Sequence, residues 1–204
     1  MQRRIAITSV IFGLASGVTV LALAAAVHQD RDSQPPEEEG GAVMQADAPG
    51  AAHARLAQLA GEWSVASTFV MSGMEPMKQT ADATIEAIHG GRFILERSRG
   101  ESLEGGEETG LNLTGYNNAT RAWEADWTHN LHTAILRLTS EPNQEPGAGT
   151  IRMTGSFLDP MSGAEETLTV TLEIADKDHF TYKLFGGEMG SEDAPVLTMH
   201  YTRK

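Results

Sequence analysis

Asp126, His129 and His132 form the densest group of potential ligands in this chain, spaced Asp-x-x-His-x-x-His. A carboxylate and two imidazoles are a ligand set for a divalent metal. On an extended strand, however, a spacing of three sends successive side chains to opposite faces. The three groups converge only if the chain turns sharply at Asn130; otherwise they are solvated turn residues, and no metal is assigned. His179 and His200 fall within strands, where a neutral imidazole could bind haem iron. No spacing marks either as an axial ligand, and no cofactor is assigned. Arg97 and Arg99 share parity with Phe93 and Leu95, which reads as the inward face of their strand. An inward arginine can hold a carboxylate head group while apolar walls take the tail. The competing reading has the strand twist or bulge and sends both arginines to solvent.

Catalytic signatures are missing. The chain has no Gly-x-Ser-x-Gly elbow, no His-Glu-x-x-His, no phosphate loop and no dinucleotide fingerprint. The pairs Glu107-Glu108 and Glu165-Glu166 lie in or beside turns, where carboxylates are solvated rather than poised as acid and base. Cysteine is absent, which excludes disulfides, thiolate catalysis and sulfur-ligated metals. No catalytic residue is assigned.

The elements that must position these groups are strands. After Gly61 the apolar period becomes two. Trp63, Val65, Phe69 and Met71 alternate with polar residues, as do Ala81, Ala83, Ile85 and Ala87. The same pattern recurs at Trp123, Ala125 and Trp127; at Ile151, Met153 and Phe157; at Leu168, Val170, Leu172 and Ile174; and at Phe180, Tyr182 and Leu184. Weaker runs at 92–99, 109–116, 133–139 and 196–202 bring the count to about ten. Gly90-Gly91 and Asn117-Asn118 suit two-residue hairpins, and 159–163 is a longer Pro/Gly reversal. Short links force sequential antiparallel pairing. A meander of eight to ten strands removes its exposed edges by closing into an up-and-down barrel; a two-sheet sandwich is the rival. Closure would pair the first strand with the last and bring Trp63 and Arg203 to one end. Small inward residues such as Ala81, Ala83, Ala87, Ala125, Ala134 and Gly155 fit either a tapering filled barrel or a cavity.

From residue 51 onward, twelve Lys and Arg stand against twenty-two Asp and Glu, a formal charge of −10 with no basic stripe. Nucleic acid and anionic membrane surfaces are poor partners for such a domain. Arg3 and Arg4 precede an uncharged stretch of 23 residues, Ile5 to Val27, followed by Asp30, Arg31 and Asp32. That is an N-in, C-out arrangement, long enough to span a bilayer and longer than the ~7–15 residues of a signal-peptide core. Residues 1–27 read as a membrane anchor or a signal peptide cleaved after small residues near Ala24 to Ala26. Either places the domain outside the cytoplasm. Residues 28–50, with Pro35-Pro36, Glu37 to Glu39 and Gly40-Gly41, bury almost nothing and read as a disordered tether. Residues 51–204 are the barrel domain, opening with a short helix at His53 to Ala60.

Leu59-Ala60-Gly61-Glu62-Trp63, Gly90-Gly91-Arg92-Phe93, Gly115-Tyr116-Asn117-Asn118, Trp127, Asp159-Pro160-Met161-Ser162-Gly163 and Tyr201-Thr202-Arg203 together resemble a bacterial family known as domain of unknown function 1579. The resemblance covers about residues 53 to 204. It implies a lipocalin-like β-barrel and no established activity. It also implies that Trp63, in a Gly-x-Trp opening, packs at the closed end beneath a late arginine, for which Arg203 is the match. The functional expectation is a non-catalytic module that binds a small, largely apolar ligand, with Arg97, Trp123, Trp127, Phe157 and Tyr182 lining the barrel. The alternatives are a filled barrel acting as a structural or interaction module, or an enzyme or haem- or metal-binding barrel with polar groups at one mouth. Fold alone does not choose among them.

Overall fold

Alternation of period two becomes ten barrel strands in the computed structural model, which describes residues 47–70, 73–103, 105–144, 149–158, 163–186 and 190–204. A short helix, α1 (Ala51–Ala57), precedes β1 (Gly61–Phe69), β2 (Met77–Ile88), β3 (Phe93–Glu101), β4 (Glu107–Asn117) and β5 (Ala122–His129). β6 (Leu136–Thr139), β7 (Ile151–Leu158), β8 (Glu165–Ile174) and β9 (His179–Phe185) follow. A two-residue hairpin of β10 (Gly190–Ser191) and β11 (Ala194–Pro195) interrupts the return to β12 (Leu197–Arg203). Neighbouring strands pair antiparallel in chain order, and β12 lies between β9 and β1 to close the barrel. Closure excludes the sandwich. The apolar stretch 5–27 lies outside the described residues. Among those described, no helix is long and apolar enough to cross a membrane.

Three local expectations need correction. The links at Gly90-Gly91 and Asn117-Asn118 each span four residues, 89–92 and 118–121, rather than two. In the first, His89, Gly90 and Gly91 all take positive φ. In the second, Asn117 Oδ1 accepts from the backbone N–H groups of Ala119 and Thr120, an Asx turn, and it is Arg121 that takes positive φ. The start of the ordered domain also shifts. Ala48, assigned to the tether, accepts a hydrogen bond from Asn118 Nδ2 at 3.0 Å, so packing begins a few residues before 51.

Helix α1 plugs one end of the barrel. Ala52, His53 and Leu56 are its buried face. The Gly50 N–H donates to His53 Nδ1 at 3.0 Å, which places the imidazole proton on Nε2, where it donates to the Tyr116 carbonyl at 3.0 Å. Beside the plug, Trp63 is fully buried and pairs in register with Arg203. The Arg203 guanidinium lies 4.2 Å from the Trp63 ring centroid. It also donates to the carbonyls of Gln58, Ala60 and Lys177, each at 2.8 Å. Gly61 has φ 143°, and a Cβ there would strike the same guanidinium, so the glycine of Gly-x-Trp makes room for the arginine that covers the tryptophan.

Arg203→Ala is expected to cost about 1–3 kcal/mol through the lost cation–π contact and the carbonyls left without their donor. Arg152→Ala should cost less, because that side chain lies on the outer wall against Glu192, with Phe185 5.4 Å away. Urea unfolding of the two variants side by side checks this, and equal losses would remove Arg203 from the closure.

Candidate functional site

Burial of the inward-facing residues is graded along the barrel axis. Toward the plugged end they are buried: Trp63 and Val65, Ala83 and Ile85, Ile94 and Glu96, Ile151 and Met153. Toward the other end the same faces are half-buried: Ser67 and Phe69, Gln79 and Ala81, Ser98 and Gly100, Gly155 and Phe157. The lumen is therefore closed at the α1 end and open at the end where β1, β3, β5, β7 and β9 finish. In the open half, β2, β3 and β4 carry the small residues Ala81, Ser98, Gly100 and Gly110 on the inward face, while Trp127, Leu184 and Met199 project from β5, β9 and β12. Six of the exposed large apolar side chains ring that open end: Val70, Met74, Leu103, Leu131, Ile135 and Leu158. A groove of about 480 Å³ elsewhere, lined by Ser64, Ala66, Thr80, Asp82, Arg99 and His200, is shallow and on the outer wall. It has none of the lumen's burial.

Where the buried and half-buried halves meet, the interior is polar. Glu96, Asn112 and Trp127 are successive cross-strand partners on β3, β4 and β5. Glu96 Oε1 accepts from the Tyr201 hydroxyl at 2.7 Å, and Oε2 accepts from Asn112 Nδ2 at 3.5 Å. The Thr114 hydroxyl donates to Asn112 Oδ1 at 2.7 Å and fixes that amide, whose Nδ2 also lies 3.4 Å from the Tyr182 hydroxyl. Burial pushes the Glu96 carboxyl above the usual carboxylate range, against the opposing pull of its hydrogen bonds from Tyr201 and Asn112. Burial also raises Tyr182 and Tyr201, and the neighbouring Glu96 raises both further. Trp127 packs edge-on to Tyr182, ring centroids 5.3 Å apart, yet its Nε1 is shielded from water and has no partner among the described residues.

The expected lining residues separate accordingly. Tyr182 belongs to the polar floor, Trp127 stands on the wall above it, and Phe157 is half-buried nearer the mouth. Trp123 is buried at the plugged end, edge-on to Tyr116 at 4.9 Å, and fills that end rather than lining the open half. Arg97 is a correction. The inward face of β3 is Ile94, Glu96, Ser98 and Gly100, so Phe93, Leu95, Arg97 and Arg99 point outward. Arg97 pairs with Glu86 at 3.4 Å and Arg99 with Glu107, both on the outer wall. Phe93 survives there because Gly115 opposite leaves its ring a bare strand to lie on. Ala87 and Ala134, expected inward, are exposed.

The histidines also resolve. β5 ends at His129, and Asn130 makes the sharp turn: its Oδ1 accepts from the Thr109 N–H and its Nδ2 donates to the Glu107 carbonyl, each at 2.9 Å. The turn brings the rings of His129 and His132 to 4.6 Å. Burial lowers the His129 pKa, His132 lowers it further, and Glu108 opposes both. Asp126 does not join them, for it faces outward 3.8 Å from Arg137. Among the described residues no three His, Asp or Glu side chains are placed to hold a metal. Zinc is therefore expected to shift the melting temperature by no more than about a degree or two; a large saturable rise lost in His129→Ala would refute this. His179 and His200 are both outward, against Asp176 and Thr181, so neither can reach a haem in the lumen.

An antiparallel barrel with one plugged end, one open end and a polar floor is a lipocalin-like architecture. The chain belongs to the family described as "Protein of unknown function (DUF1579)", whose model matches residues 48–203. Among solved structures it is similar to Rv2717c from M. tuberculosis, at 17% identity and a TM-score of 0.53, covering 77% of this chain and 98% of that one. That likeness shows the fold alone. No curated protein matches the chain.

Proposed function

We propose that this barrel is a non-catalytic binding module that holds one small, largely apolar molecule in the open half of its lumen. The graded burial of the inward face carries the reading, since a barrel filled for structure alone would bury its inward residues along the whole axis. The apolar rim suits a ligand that leaves water on entry, and the floor of Glu96, Asn112 and Tyr182 supplies the few polar groups that fix orientation. With the apolar segment 5–27 ahead of it, the module would work outside the cytoplasm, tethered to the membrane or released from it.

The test is native mass spectrometry of the protein purified from its own host, together with titration of the neutral fluorophore N-phenylnaphthylamine. A retained small molecule, or saturable binding of the fluorophore weakened by a bulky Gly110→Phe substitution in the lumen, is the expected result. A bare polypeptide mass with no fluorophore response would favour the filled, structural barrel instead.

A further inference from the structure

We infer that the lumen grips its ligand by a neutral carbonyl oxygen, taken between Trp127 Nε1 and Asn112 Nδ2. This rests on the binding reading and names the chemistry of the same site. Two donors there are under-used. Trp127 Nε1, which can only donate, is shielded from solvent and unpartnered. Asn112 Nδ2 makes only long contacts, 3.5 Å to Glu96 and 3.4 Å to Tyr182, at the outer limit for a hydrogen bond. The orientation of that amide is not free, because the Thr114 hydroxyl holds Oδ1 and turns Nδ2 away from it. Asn112 and Trp127 are direct partners across β4 and β5. Side chains so placed on one face start about 4.5–5.5 Å apart at Cβ and can converge on a single atom. A carbonyl oxygen, with two lone pairs in one plane, accepts from both.

Charge decides against a carboxylate. Every Arg and Lys on a described strand takes the outward register except Arg203, which is committed to Trp63 and the carbonyls of the plugged end. Arg97, Arg137, Arg152 and Lys183 are each paired with an acidic residue on the outer wall. Inward stand Glu96, next in the row to Asn112, and Glu108 on the same face of β4. A ligand anion at the fork would meet a buried carboxyl and no cation, the arrangement that disfavours a second negative charge.

The experiment is displacement of N-phenylnaphthylamine from the full-length protein at pH 8 by two probes sharing an octyl chain, methyl octyl ketone and nonanoate. The ketone is expected to displace at about tenfold lower concentration than nonanoate, the worth of a hydrogen-bonded polar head. Trp127→Phe should weaken the ketone roughly fivefold more than it weakens the fluorophore, which meets the same wall but has no carbonyl to accept the indole N–H. Nonanoate competing as well as the ketone, or a ketone indifferent to Trp127→Phe, would overturn the carbonyl fork and leave the binding reading standing. A fluorophore that never binds the wild type would overturn both.

Discussion

Trp63→Ala is expected to remove about 3–5 kcal/mol of stability, as full truncation of a buried tryptophan does. Against a total of about 5–15 kcal/mol, that is a large fraction of what holds the domain together. The indole is completely buried, lies edge-on to Phe180 at 4.7 Å and to Tyr201 at 6.4 Å, and donates from Nε1 to the Leu59 carbonyl at 2.9 Å. Truncation opens a void beside the rings of Phe180 and Tyr201, leaves the Leu59 carbonyl without its donor and leaves Arg203 stacked on nothing. Trp63→Phe keeps most of the packing and should cost only about 1–2 kcal/mol for the lost hydrogen bond and volume. Urea unfolding curves would show the difference, and a Trp63→Ala loss below about 1 kcal/mol would mean that the plugged end does not depend on this residue.

Glu96→Gln is expected to abolish a loss of stability that the wild type shows as pH rises above the ordinary carboxylate range. Burial holds the folded-state pKa of Glu96 above its ordinary value of 4.5. Between those two values the folded protein keeps a proton that the unfolded chain releases. Stability from this group is therefore complete below pH 4.5 and declines as pH rises through the folded pKa. Glutamine has no such proton, so the variant loses that decline and gains on the wild type as pH increases. Two other groups act oppositely. His129, lowered below 6.5 chiefly by burial, costs stability as pH falls through its folded pKa. Asp176, lowered by the Asp178 N–H and by His179, contributes above the ordinary aspartate range and is lost on acidification. Glu96→Ala is a harsher change, costing about 2–4 kcal/mol because the Tyr201 hydroxyl is left buried without its acceptor and the Asn112 amide keeps only its long contact to Tyr182. Unfolding free energies of wild type and Glu96→Gln across pH 4–9 are the measurement; parallel profiles would show that folding does not shift the Glu96 pKa.

The barrel was legible from alternation because a half-buried strand obeys it, and Trp63 and Arg203 could be paired because a closed meander leaves the first and last strands no other neighbours. Alternation failed where the interior is polar. On β3 and β4 the apolar residues Phe93, Leu95, Leu111 and Leu113 face outward, and Glu96, Asn112 and Thr114 face the lumen. Reading hydrophobicity as inwardness inverted the strand and brought Arg97 inside. The inversion was itself the signal. Apolar outward and polar inward over two paired strands breaks a rule that the remaining strands keep, and such breaks gather at functional sites. The convergence of Glu96, Asn112, Tyr182 and Tyr201 was not legible, since their register comes from pairings between β3 and β4 and between β9 and β12. For His129 and His132, sequence identified the necessary turn at Asn130 but not the side-chain clamps to Glu107 and Thr109 that make it.

The pairing of β1 with β12 also sets the order of events at birth. Arg203 and its partner Ala60 are 143 residues apart along the chain, at opposite ends of the domain. A nascent polypeptide emerging from the ribosome carries β1 with one edge unpaired until β12 has emerged. Hairpins between successive strands can form locally and early, but the seam must wait for the whole loop of chain to be closed, which is the slow kind of contact. Loss of the final strand through a premature stop would leave an open sheet with Trp63 uncovered, an edge prone to pairing with other chains. Closure of this barrel is thus an all-or-none commitment, made when β12 arrives.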